Sequence, residues 1–90
     1  MKLPKGTYFV PGPGNKKYTA VVPGHGKISF GDRRYQQFRD SVPKSLGGGL
    51  YTHLNHSDRM RRANYRRRHG AQGYQNKIYS PSWFSWHFLW

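Results

Sequence analysis

The chain contains no cysteine and no glutamate, and its only acids are Asp32, Asp40 and Asp58. Without thiols there is no disulfide frame, no zinc–thiolate site and no thiol chemistry. Three carboxylates leave little material for paired acid–base work, so an enzyme is not expected. Long apolar runs are also missing. No stretch approaches the roughly 18–20 residues of a membrane-spanning helix. Met1 to Val10 is too poor in apolar side chains for a signal peptide, and Pro4 and Pro11 interrupt the region. With neither signal nor cysteine, the expectation is a protein made and kept in the cytosol or nucleus.

What is present is positive charge and aromatic rings. The 90 residues carry 16 Lys+Arg, giving a formal charge of +13. Only 34% of residues are hydrophobic, yet 17% are aromatic. The length allows one domain at most. Like charges at this density repel one another in a compact state, and a core this small must draw most of its burial from the rings. The folded state is therefore expected to depend on assembly with partners.

Residues 1–26 are rich in Pro and Gly and read as an extended arm, with Tyr8-Phe9-Val10 and the β-branched Tyr18-Thr19-Ala20-Val21-Val22 as short strand-like pieces. The Pro11-Gly12-Pro13-Gly14 between them reads as a turn, so a loose hairpin is the alternative. Residues 27–90 read as a small basic domain. Lys27-Ile28-Ser29-Phe30 is a third short strand, ended by Gly31. From Asp32 to Asp40, Tyr35 and Phe38 stand three apart, which predicts one or two helical turns before Pro43. Gly47-Gly48-Gly49 reads as a flexible joint. The clearest helix spans about 57–69, capped by Asn55 or Ser57, with Asp58 in its first turn and Gly70 in the left-handed position after it. Ser80-Pro81-Ser82 signals a helix start, so the aromatic segment of about 81–90 reads as a helix, with a strand as the alternative. The expected class is a small α+β or mostly irregular fold.

Four groups of residues are candidates for chemistry. Arg59, Arg61, Arg62, Arg66, Arg67 and Arg68 lie on one helix with a single acid, where a solvated face normally mixes signs. Guanidinium groups bind phosphate and carboxylate in bidentate fashion. At helical spacing Asp58, Arg61, Tyr65 and Arg68 form one polar stripe, in which Asp58 can pair with Arg61 or Arg62. An anionic partner is expected for this face. The rings of Trp83, Phe84, Trp86, Phe88 and Trp90 have two readings, a core or an anchor inserted into a partner protein or membrane interface. His53, His56 and Asp58 are the weak metal candidates. His-x-x-His is common by chance and no second pair follows, so no metal and no cofactor are assigned. Gly12-Pro13-Gly14-Asn15-Lys16-Lys17 lacks the Gly-Lys-Ser/Thr ending of a phosphate loop and is rejected as one.

His56-x-Asp58-x-x-Arg61-Arg62-x-x-Tyr65-x-x-Arg68-His69 resembles the central motif of small basic proteins encoded by large double-stranded DNA viruses, the giant algal and amoebal viruses. Lys27-Ile28-Ser29-Phe30-Gly31-Asp32 with Tyr35 and Phe38, and the closing Trp83-Phe84-Ser85-Trp86 with Leu89-Trp90, resemble the same family in the same order. The connector 70–79 departs from it in being rich in Gly and Gln. The resemblance implies a virus-encoded protein with a place in the particle. It carries no settled biochemical function. The leading expectation is a minor capsid protein that cements neighbouring subunits, with major and other minor capsid proteins, or an internal viral membrane, as partners. The alternative is a nucleic-acid-binding virion protein that packages or condenses the genome. Either would be found in the host cytoplasm or nucleus before assembly.

Overall fold

The computed structural model describes residues 3–90. Its order is β1 (Tyr8–Pro11), β2 (Tyr18–Val22), β3 (Gly26–Phe30), α1 (Arg59–Gly70) and α2 (Pro81–Phe88), with short 3-10 turns at Lys44–Leu46, Thr52–Leu54 and Tyr74–Asn76. The class is α+β, as expected. The strands form one antiparallel sheet in the order β1-β2-β3. Phe9 pairs with Ala20 and Ala20 with Ile28, while Tyr18 pairs with Phe30. Alternation along the strands puts Phe9, Tyr18, Ala20, Val22 and Phe30 on one face, all buried. Tyr8 and Val10 point the other way and are exposed.

The extended arm is thus corrected to a hairpin. The Gly12 amide donates to the Lys17 carbonyl (3.0 Å) and the Lys16 amide to the Pro13 carbonyl (3.0 Å), so the Pro/Gly run closes on itself. Its apolar residues alternate with period two and gain more from a shared core than from solvent or a neighbour.

Helix α2 covers the buried face of the sheet. The Ser80 hydroxyl accepts from the Trp83 amide (3.1 Å), and Pro81 occupies the first turn, where its missing N–H costs nothing. Phe84 is fully buried, stacked on Phe30 (5.2 Å between centroids, 21° between planes) and edge-on to Phe9 (6.0 Å, 82°). Phe9 is the hub, with edge contacts to Tyr18, Phe30, Phe84 and Phe88.

The segment between β3 and α1 holds no helix over 32–40. Gln37 explains why. Its amide donates to the Leu54 carbonyl (3.2 Å), and its carbonyl accepts from the His56 amide (3.0 Å). Its wholly buried side chain donates to the Tyr51 carbonyl and to Asn55 Oδ1, and accepts from Lys17 Nζ. A helical turn would withdraw these backbone groups from their partners. The Gly47–Gly49 joint is likewise packed. A Cβ on Gly48 would sit 2.0 Å from the Val42 carbonyl oxygen, and one on Gly47 2.1 Å from that of Phe9. Gly47 is also left-handed (φ 105°).

The cap of α1 is Asp58, neither Asn55 nor Ser57. Asp58 Oδ1 accepts from the amides of Met60 (2.9 Å) and Arg61 (3.2 Å). Ser57 is left-handed (φ 54°), and Asn55 is occupied with Gln37 and the Asp40 amide. Gly70 remains helical. Its missing side chain serves a close approach, since a Cβ there would lie 3.3 Å from the Trp86 ring. The left-handed turn comes three residues later, at Gly73 (φ 76°).

Candidate polyanion-binding surface

Helix α1 buries no residue completely and rides on the outside of the fold. Tyr65 and His69 form its inner edge. The Tyr65 ring lies parallel to Trp90 (4.3 Å, 4°), and His69 stacks on Tyr74 (4.4 Å, 17°). Tyr65 is therefore a packing residue, not part of an outward polar stripe. Burial raises its hydroxyl to about 12.

The six arginines divide around this edge. Arg61 and Arg68 lie on one flank, where Arg61 donates to Gln36 Oε1 (2.9 Å) and Arg68 to His69 Nε2 (3.3 Å). Arg67 points outward and donates to Asn64 Oδ1 (2.7 Å). Arg59, Arg62 and Arg66 lie on the other flank, at a cleft of about 450 Å³ shared with Phe38, Arg39 and Ala63. This runs into a second hollow of about 280 Å³ against Ser41, His87 and Trp90. The Arg62 guanidinium lies 4.7 Å from the Phe38 ring centre, and that of Arg66 4.9 Å from Trp86. Both donate to the backbone oxygen of Trp90: Arg62 Nε at 2.8 Å, and Arg66 Nε and a terminal nitrogen at 3.2 and 3.1 Å. Burial, then the neighbouring Arg62, pull Arg66 below its usual value.

None of the three acids neutralises these arginines. Asp58 is spent on amides, so its expected pairing with an Arg61 or Arg62 side chain does not form. Asp40 accepts from the Tyr18 hydroxyl (2.5 Å) and from the amides of Tyr51 (3.0 Å) and Val42 (3.1 Å). Asp32 takes a two-pronged contact from Arg34 (3.0 and 2.8 Å), whose hydrogen bonds lower its carboxyl to about 2. Arg34–Asp32 is the one ion pair among the described residues. None of the six α1 guanidiniums is thus paired with an Asp side chain.

The aromatic candidates lie elsewhere. Trp83, Phe84, Trp86 and Phe88 are buried in the chain's own core, and Trp90 is half-buried between α1 and the 38–56 segment. The anchor is corrected to a core, because the sheet supplies the apolar face that a partner was expected to supply. His53 is exposed, whereas His56 packs near Phe38 and Trp90 and is lowered mainly by burial, then by Arg61. Among the described residues, no three His, Asp or Glu side chains converge as a metal would require. Phe38 and Arg39 are site residues that sequence reasoning missed. They come from a different segment, and no local pattern ties them to α1.

Comparison with protein-family models, with curated proteins and with solved structures finds no match for this chain.

Proposed function

We propose that this chain is a structural nucleic-acid-binding protein that holds phosphates with α1. A place in the particle of a large double-stranded DNA virus is the setting that the motif resemblance implies. The observation that carries the reading is the set of six α1 arginines, none paired with an Asp side chain, on a fold whose three acids are all engaged elsewhere. A protein surface normally mixes signs, whereas a polynucleotide presents one sign only. A helix of 12 residues is about 18 Å long, enough to meet several successive phosphates. The first strands and the rings of Trp83, Phe84, Trp86 and Phe88 lie in the chain's own core, which leaves the cementing reading with less to stand on.

A salt titration of binding to duplex DNA tests the proposal. If all six arginines meet phosphates, log affinity falls against log salt with a slope near −5. A flat response, or no binding at about 50 mM salt, refutes it.

One observation favours cementing as a second reading. Tyr8 and Val10 lie exposed and side by side on the outer face of β1, with half-buried Val21 beside them on β2. An apolar face of this kind suits a protein neighbour. Crosslinking on intact particles, read at Lys5 and Lys27, tests it. A fixed ratio to the major capsid protein is expected, and recovery with the genome alone counts against it.

A further inference from the structure

The α1 arginines are not equivalent, and the difference is one of shape. Arg61, Arg67 and Arg68 are exposed, and each donates to one side chain, Gln36, Asn64 and His69 in turn. Arg59, Arg62 and Arg66 share a concave cleft with a fourth cation, Arg39, brought from the segment that precedes Pro43. The Arg39 amide donates to the Leu89 carbonyl (3.2 Å), which fixes this residue's backbone against the end of α2. Its guanidinium lies 5.3 Å from the same Phe38 ring that Arg62 covers. Four cations therefore line one cleft, two of them over the same aromatic ring, with no Asp side chain among the residues that line it. Mutual repulsion makes this costly for an empty cleft and favourable for one that holds an anion.

The donors are also arranged. Arg62 is steered by its Nε bond to the backbone oxygen of Trp90, which leaves its terminal nitrogens free to bind. Arg66 is held by two bonds to the same oxygen. Arg39 and Arg59 donate no side-chain hydrogen bond among the described residues, so their full forks are available. Two cations are thus oriented in advance and two can close on a ligand. A tetrahedral phosphoryl group, with several oxygens to accept forked N–H pairs, fits this better than a single carboxylate. Base stacking does not fit, because the Phe38 ring is already met by Arg39 and Arg62.

We propose that the Arg39–Arg59–Arg62–Arg66 cleft is a phosphate seat, the point at which one phosphoryl group of a polyanion is gripped while the outer arginines steer. This deepens the nucleic-acid reading and rests on it for the source of the phosphate.

The test compares two double variants of the full chain that remove equal charge. Arg39→Gln with Arg59→Gln empties half the cleft. Arg61→Gln with Arg68→Gln strips the opposite, exposed flank. Circular dichroism checks that both fold. With a labelled duplex at several salt concentrations, the cleft pair is expected to lose at least tenfold in affinity. Its salt slope should shrink by about 2, one contact per arginine. The flank pair should lose roughly threefold or less. Equal losses overturn the seat and leave the nucleic-acid reading intact.

A second arm uses inorganic phosphate as the probe and wild-type protein in 1H–15N NMR. Phosphate at millimolar concentration is expected to shift the Arg39, Arg62 and Arg66 Nε–H signals, and sodium chloride of equal ionic strength is not. Shifts spread evenly over all six α1 arginines, or absent from the cleft, overturn the seat. If phosphate selects the cleft but DNA does not bind, the nucleic-acid reading falls and the seat stands.

Discussion

Replacing Phe84 by alanine tests whether the aromatic end of the chain is core or anchor. Phe84 is fully buried and touches Phe9, Phe30, Tyr79, Trp83 and Phe88 through ring contacts. Burying a ring of roughly 150–250 Å² at about 25 cal/mol per Å² contributes about 4–6 kcal/mol. Measured Phe→Ala changes in cores cost about 3–5 kcal/mol, since the void closes only in part. A 90-residue domain has a total stability of roughly 5–13 kcal/mol at about 0.05–0.15 kcal/mol per residue. The variant should thus lose about a quarter or more of that total. Urea denaturation followed by tryptophan fluorescence reads the midpoint, and Phe84→Leu should cost roughly 1–2 kcal/mol by keeping most of the volume. Tyr35→Ala is the reference, because Tyr35 is 65% exposed and its removal should change stability by about 0.5 kcal/mol or less. If Phe84→Ala also costs under about 1 kcal/mol, the ring does not pack as described and the external anchor returns.

Three further outcomes follow from named contacts. Gly48→Ala pushes a methyl to 2.0 Å from the Val42 carbonyl oxygen and should destabilise by about 2 kcal/mol or more; an unchanged melting temperature would contradict that packing. Asp58→Ala removes the cap of α1 and should cost about 0.5–2 kcal/mol with lost helical circular dichroism, whereas Asp58→Asn should retain most of it. Lys17 is almost wholly buried and its ammonium is lowered to about 8, chiefly by burial, with Asp32 and Asp40 pulling the other way. Between about pH 8 and 10 the unfolded chain then holds the proton that the folded chain has released, so stability rises with pH. Above about pH 10, Tyr18 and Tyr65, both raised by burial, reverse the trend, because the unfolded chain loses their protons first. Lys17→Met should flatten the rise from pH 8 to 10 relative to wild type. An identical slope in both proteins would rule out Lys17 as its source.

The elements that local chemistry dictates were legible. Tyr18–Val22 is β-branched and bounded by turn residues, Ser80-Pro81 opens α2, and an acid at 58 marks the start of α1. What could not be read depends on contacts between distant segments. The helix expected around Tyr35 and Phe38 is overruled by Gln37, whose partners are Lys17, Tyr51, Leu54, Asn55 and His56. Composition places Gln and Lys outside, so a buried Lys17–Gln37 pair leaves no trace in the pattern. The rings are plain in the sequence, but nothing in their spacing says whether the apolar face they need belongs to this chain or to another. The candidate site was half visible. The arginine run stands out, whereas Phe38 and Arg39, which turn it into a cleft, do not.

The lid of this fold lies far along the chain from the sheet it covers. Phe9, Tyr18 and Phe30 are covered by Phe84 and Phe88, and about fifty residues separate Phe30 from Phe84. At about 5–20 residues per second, a ribosome that has finished the sheet needs roughly 3–10 s more to make α2. Throughout that interval the aromatic face of the sheet has no cover, and each molecule carries a fresh adhesive surface. Crowded synthesis should therefore lose more of this protein to aggregation than its final stability would suggest. Slowing initiation, so that nascent chains are spaced apart, should raise the soluble yield without any change of sequence.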